Sequence, residues 1–186
     1  SVAIKHLREV FPSLIIIGTE PGIKPAINNT KTRNIGILAT ASTLKGEKYQ
    51  LLANELTTKS EVKLHEQACI GLVEQIENGE INSLKTYSML ETWLKPMLHN
   101  KVDTIVLGCT HYPLVKKTIL DIVGEDVLLI DTGDAIAKRV VTLSQDLQNN
   151  NKDELNIEIL YTGKINSDMV KIILGKNKFE MRKCEL

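Results

Sequence analysis

Strand-like and helix-like stretches alternate along nearly all of this 186-residue chain, and the strand-like stretches are continuous apolar runs, not alternating ones. A strand that is apolar on both sides has to be covered on both faces, and parallel sheets built from strand–helix units meet that requirement. Strands are predicted at 14–17, 34–39, 62–66, 104–107, 127–130, 157–161 and 179–184. Helical spacing predicts helices over 2–10, 43–55, 71–77, 81–98, 113–123, 133–147 and 165–174. In the longest of these, Ile81, Leu84, Leu90, Trp93, Leu94 and Met97 form the apolar stripe. Pro113 suits a first helical position, and Asp134 lies where a carboxylate favours a helix start. Gly18-Thr19-Glu20-Pro21-Gly22 breaks the chain, and Gln148-Asn149-Asn150-Asn151 reads as a polar linker. The fold class is therefore α/β, with parallel sheets flanked by helices.

Such a length holds one sizeable domain or two small ones. The 23 basic side chains are balanced by 23 acidic ones, which argues against a nucleic-acid binder relying on a basic face. No apolar run approaches the roughly 20 residues that cross a bilayer, so a soluble protein with no membrane partner is expected. The opening residues Ser1 to Arg8 are charged and amphipathic, unlike a secretory signal. Three scattered cysteines, Cys69, Cys109 and Cys184, form no CxxC pair and fit a reducing cytoplasm.

In parallel α/β folds, ligands bind beyond the carboxyl ends of the strands. That position selects Thr40 to Thr43, Cys69, Cys109 to Tyr112, and Asp131 to Asp134. Cys109 combines a strand end with a helix start, where free N–H groups and the helix dipole favour a thiolate. His111 stands two residues on, Thr110 offers a hydroxyl, and Gly108 permits close backbone approach. Chemistry alone leaves two readings open, a functional thiol or a small buried hydrophobe. Cys-x-His could also supply two metal ligands, but His6, His65 and His99 show no matching spacing.

Gly108-Cys109-Thr110-His111-Tyr112-Pro113-Leu114, behind an apolar strand, resembles the second cysteine motif of the glutamate racemases. Glu20-Pro21-Gly22, Ile35 to Thr43, Ala68-Cys69 with Leu72-Val73-Glu74, Asp131-Thr132-Gly133 and Tyr161-Thr162-Gly163 agree in order and spacing. Aspartate racemases are similar but carry an acidic residue where His111 stands, so His111 favours glutamate. The resemblance implies a cofactor-independent isomerase of the bacterial cytoplasm that supplies D-glutamate for peptidoglycan. Two cysteines serve opposite faces of the substrate α-carbon, and the family allows a homodimer. By the same resemblance Cys109 is one acid/base, Thr110 binds substrate carboxylate, and His111 assists Cys109 and contacts substrate. Thr40 and Thr43 line the pocket, and Glu74 pairs with the histidine. Thr40 and Thr43 also read as a strand end and a helix cap, and Glu74 as a solvated helix residue. Cys69 matches a non-catalytic position, and Cys184 matches nothing functional.

The family's early Asp-Ser-Gly, its Tyr-Gly and its Cys-Asn-Thr-Ala with the first catalytic thiol are not in this sequence. Ser1-Val2-Ala3-Ile4 resembles the residues that follow that thiol. The expectation is a chain lacking that segment, inactive by itself, with 21–131 a complete second lobe and 1–20 plus 132–186 an incomplete first lobe. The active site would lie between the two similar lobes. The competing reading is a non-catalytic α/β binding module.

Overall fold

The computed structural model describes residues 3–19, 22–145 and 155–185. Its centre is a parallel sheet of four strands: β1 (Asn34–Ala39), β2 (Lys63–Ala68), β3 (Thr104–Leu107) and β4 (Leu128–Ile130), in the order β2-β1-β3-β4. Helices α1 (Ile4–Val10) and α2 (Ile23–Asn29) precede β1. Helices α3 (Ala41–Lys45) and α4 (Glu47–Ser60) join β1 to β2, while α5 (Leu72–Glu77) and α6 (Leu84–His99) join β2 to β3. A 3-10 turn at Tyr112–Val115 and α7 (Lys116–Val123) lead to β4, which α8 (Gly133–Leu143) follows. A β-α-β unit closes the described chain: β5 (Ile157–Tyr161), α9 (Ser167–Leu174) and β6 (Phe179–Lys183), the two strands paired in parallel.

The central strands are apolar throughout because each side chain enters one of two cores. Ile35, Ile37, Ala39 and Val106 pack on one face with Ile23 and Ala26 of α2 and Tyr49 and Ala53 of α4. Leu38, Ile105 and Leu107 pack on the other with Leu72 and Ile76 of α5, Leu90, Leu94 and Met97 of α6, and Ile119 of α7. Gly36 keeps that second face close, since a Cβ there would stand 2.8 Å from the Met97 sulfur. The edge strand β2 needs cover less and carries Lys63, His65, Glu66 and Gln67, polar side chains that also discourage edge pairing.

The α/β class and the central strands agree with the sequence reading, but several elements differ. The expected buried strand at 14–17 pairs with no described strand, and Leu14 and Ile15 are 59% and 46% exposed. An apolar run without a ladder neighbour cannot become a sheet strand. The single helix expected over 43–55 is broken at Gly46, whose extended backbone ends α3 and opens α4. Helix α6 begins at Leu84, N-capped by Ser83, which leaves Ile81 ahead of the helix and Leu84 90% exposed. Val2, Glu20, Pro21, the linker at 148–151 and the end of the helix expected over 133–147 lie outside the described residues. Helix α2 has no counterpart in the sequence reading; Pro25 sits in its first turn, where a proline is tolerated.

One carboxylate ties the sheet's amino end together. Asp103 accepts from the Thr30 hydroxyl at 2.6 Å and from the N–H groups of Lys31 and Thr32 at 2.7 and 2.8 Å. Partial burial alone would raise its pKa, but these bonds and the Thr104 hydroxyl outweigh it and hold the carboxyl below its usual range. Asp103→Ala should cost about 1–3 kcal/mol, the penalty for stranding several donors. Because the folded pKa is depressed, the stabilisation is present above the unfolded-state value and is lost as pH falls through the folded one. Urea midpoints of the two proteins should therefore differ at pH 7 and converge toward pH 3, and an unchanged gap across that range would contradict this role. Among the described residues no helix is long and apolar enough to cross a membrane.

Candidate functional site

The site grows from the carboxyl ends of three neighbouring strands. Because β1 lies between β2 and β3, Thr40 ends the middle strand with Cys69 on one side and Cys109 on the other. Backbone bonds fix this arrangement: Cys69 N donates to Ala39 O at 2.9 Å, and Gly108 N donates to Leu38 O at 2.7 Å. Gly108 is required by that contact, since a Cβ would come within 2.9 Å of the Leu38 carbonyl oxygen. Any larger residue would push Cys109 away from the sheet.

After Gly108 the chain turns tightly, with Tyr112 N donating to Cys109 O at 3.2 Å and Leu114 N to His111 O at 3.0 Å. The expected helix from Pro113 starts instead as a single 3-10 turn, and α7 begins only at Lys116. Pro113 is accommodated in this first turn, where its missing N–H is not needed, and the i to i+3 bonding tightens the entry to α7. The thiol therefore faces this short turn rather than the end of a long helix. The N–H groups of Cys109, Thr110 and His111 make no hydrogen bond among the described residues, which leaves a small concave set of donors suited to a carboxylate.

Cys109 is partly buried, and its sulfur lies 3.8 Å from His111 Nδ1. Thr110 Oγ1 stands 3.5 Å from the same nitrogen, at the exposed rim. The other ring nitrogen, His111 Nε2, is 3.2 Å from Glu77 Oε1. A neutral imidazole held this way donates from Nε2 to the carboxylate and turns a lone pair on Nδ1 toward the thiol. The line thiol–imidazole–carboxylate can accept a proton from sulfur and stabilise the imidazolium that results.

Glu74, the carboxylate expected beside His111, is not brought to it. Glu74 is exposed, and no hydrogen bond or ion pair joins it to His111 among the described residues. Helix phase does not separate the two: with Leu72, Gln75 and Ile76 buried, Glu74 and Glu77 both lie far round from the buried side at about 100° per residue, and both are exposed. Glu77, the last residue of α5, is the one whose carboxylate reaches His111.

Thr40 and Thr43 are brought together, with Oγ1 atoms 2.9 Å apart and Thr40 accepting the Thr43 N–H at 3.1 Å. Thr40 thus caps α3, and the pair presents hydroxyls at a strand end adjacent to that of Cys109, at a sheet spacing of about 4.8 Å. Cys69 is different in kind. It is 3% exposed, its sulfur donates to Gln67 O at 3.6 Å, and burial pushes its thiol up to about 12. Such a thiol is protonated and inert near neutral pH. The Tyr112 hydroxyl is wholly buried beside the Cys69 thiol, its polar neighbour, and has no partner in good hydrogen-bond geometry among the described residues.

A cavity of about 510 Å³ opens on the outer side of the His111–Glu77 pair. Ile76, Glu77, His111 and Leu114 form one wall, and Lys164, Asn166 and Met169 form the facing wall. Met169 also enters the sheet's second core, so α9 is anchored against the element that carries Glu77. No group of three His, Cys, Asp or Glu side chains that could hold a metal ion occurs among the described residues.

Comparison with known proteins places this geometry in context. The model of the Asp/Glu/Hydantoin racemase family matches residues 3–140. The chain is 62% identical over 186 residues to the glutamate racemase of Aliarcobacter butzleri, covering all of this chain and 71% of that one. It is 59% identical over 174 residues to the glutamate racemase of a Sulfurovum species, covering 94% of this chain and 66% of that one. Among solved structures, Escherichia coli glutamate racemase in complex with L-glutamate and the activator UDP-MurNAc-Ala superimposes with a TM-score of 0.76 at 28% identity, over 98% of this chain and 69% of that one. A glutamate racemase isoform from Bacillus anthracis gives a TM-score of 0.74 at 28% identity, over 99% and 70%.

Proposed function

Since the chain belongs to the Asp/Glu/Hydantoin racemase family, we propose that it is the larger part of a glutamate racemase, in which Cys109 exchanges the α-proton on one face of glutamate. The observation that carries this reading is the line Cys109–His111–Glu77, with distances of 3.8 and 3.2 Å, beside free backbone donors. The 62% identity to a glutamate racemase supports glutamate as the substrate.

The thiol of Cys109 works as the proton carrier, and His111 takes its proton when the thiolate is required. Glu77 orients His111 and stabilises its charged form. The N–H groups of residues 109–111 and the Thr110 hydroxyl receive a substrate carboxylate, and Thr40 and Thr43 close the opposite side. Removing an α-proton beside a carboxylate builds negative charge, which fixed donors stabilise better than mobile water. No cofactor is assigned to this chemistry.

The opposite face needs a second acid/base. Cys69 is a poor choice, being buried, protonated and part of the core. The chain spans between 66% and 71% of the two curated relatives described above. The second thiol is assigned to a Cys-Asn-Thr-Ala segment outside these 186 residues, and the site to the cleft between a lobe of residues 21–131 and a second lobe that includes 1–20 and 132–186. A cytoplasmic enzyme supplying D-glutamate to peptidoglycan, with a homodimer as its assembly, completes the reading.

The protein as the cell makes it should interconvert L- and D-glutamate without added cofactor, followed by loss of optical rotation. Aspartate should turn over far more slowly. Rotation unchanged from either glutamate enantiomer would overturn the reading in favour of a non-catalytic binding module.

A further inference from the structure

A buried hydroxyl lies beneath the site with nothing well placed to accept its proton. Tyr112 follows Cys109 by three residues, and its N–H donates to the Cys109 carbonyl at 3.2 Å. Its side chain is 0% exposed. Tyr112 and Cys69 belong to the same core as Leu72, Ile76 and Leu90, and Cys109 packs against that core. Among the described residues the Tyr112 hydroxyl has no hydrogen-bond partner in good geometry. A phenylalanine would fill the same space without stranding a polar group, so the hydroxyl calls for a reason.

The two neighbouring sulfurs supply one. Burial first, and then the nearness of Cys69 and Cys109, raise the Tyr112 pKa far above its ordinary value. Near neutral pH the phenol is therefore a donor that keeps its proton. A neutral thiol accepts weakly, whereas a thiolate accepts a charge-assisted bond. Cys69 offers only the neutral form, since burial pushes its thiol up to about 12. Cys109 is the sulfur assigned to ionise, and His111 Nδ1 stands 3.8 Å from it to take the proton. A donor idle beside the resting thiol gains an acceptor when that proton leaves, and such bonds commonly tighten only in the working complex. The other titratable groups on this side, among the described residues, are His111 itself and two carboxylates of α5. Glu77 reaches the thiol through His111, and Glu74 is the smallest influence on the Tyr112 hydroxyl.

We propose that Tyr112 is a positioning residue for the reaction, its buried hydroxyl turning its hydrogen to the Cys109 sulfur and holding the thiolate in place. The inference rests on the reading of Cys109 as a proton carrier. It divides the work around the sulfur. His111 receives the proton from the open side, and Tyr112 supports the remaining charge from the core side, where a low dielectric strengthens the bond.

Alkylation of Cys109 by iodoacetamide, followed peptide by peptide by mass spectrometry across pH 6–10, tests this on the protein as the cell makes it. Tyr112→Phe should slow alkylation about tenfold at pH 7, as expected for loss of a charge-assisted bond, and should match the parent near pH 10. The same variant should melt at or above the parent temperature, because it removes a stranded hydroxyl. Cys69→Ala should leave the alkylation profile in place. An unchanged profile in Tyr112→Phe, a profile moved by Cys69→Ala, or a Tyr112→Phe protein that melts well below the parent would overturn the proposal. The last result would make the hydroxyl a structural bond within the core. Alkylation does not depend on turnover, so failure here leaves the racemase reading to its own test.

Discussion

Replacing Cys109 by alanine should lower glutamate racemisation by about 10³-fold or more, while leaving the fold and its melting temperature nearly unchanged. The size follows from the role: a positioned proton-transfer group contributes on the order of 10²–10⁴-fold, and a proton that must be both removed and replaced has no route around a missing base. Stability should survive because the sulfur is only partly buried and packs at the margin of the core. Cys69→Ala gives the contrast. Its thiol is 3% exposed within that core, so the substitution should reduce stability and leave kcat within a few-fold of the parent. A Cys109→Ala enzyme with normal turnover, or a Cys69→Ala enzyme that folds normally and is inactive, would exchange the roles assigned to the two thiols.

His111→Asn should have the next largest effect, a loss of about 10²-fold in kcat. Asparagine keeps a polar group near the Cys109 sulfur and near Glu77 but cannot carry a proton between them. The pH profile is the more telling readout. With His111 in place, the line to Glu77 lets the thiol lose its proton to an adjacent base. Without it, activity should rise with pH toward the region where an unassisted thiol ionises, near 8.5. Glu77→Gln should show a milder form of the same change, since a neutral amide still orients the ring but no longer stabilises an imidazolium. A His111→Asn enzyme whose activity falls while its profile stays in place would mean that the histidine binds substrate and does not serve the thiol.

Much of this site could be read from the chain, and the parts that could not have physical causes. Strands β1 and β3 were legible to the residue because they are buried on both faces, so every side chain carries the signal. The Cys109 turn was placed correctly because a strand, a glycine and a proline bracket it within ten residues. Its backbone form was not, because a proline at a helix start fits a 3-10 turn and an α-helix alike. Glu77 was passed over for Glu74 because sequence similarity aligns residues, whereas the His111 contact depends on which end of a six-residue helix comes within reach of the ring. The stretch 14–17 shows the converse failure. Its composition is that of a strand, but pairing is a property of neighbours, and none of the described strands lies beside it.

The central claim is that Cys109 serves one face of the α-carbon only, and hydrogen exchange tests it most directly. In deuterated buffer, the parent enzyme should exchange the α-proton of both L- and D-glutamate, as followed by proton NMR. The Cys109→Ala enzyme should exchange one enantiomer and not the other, with no racemisation, because a single remaining base can remove and return a proton only on its own side. Exchange of both enantiomers at comparable rates by that variant would contradict the assignment of Cys109 as half of a catalytic pair.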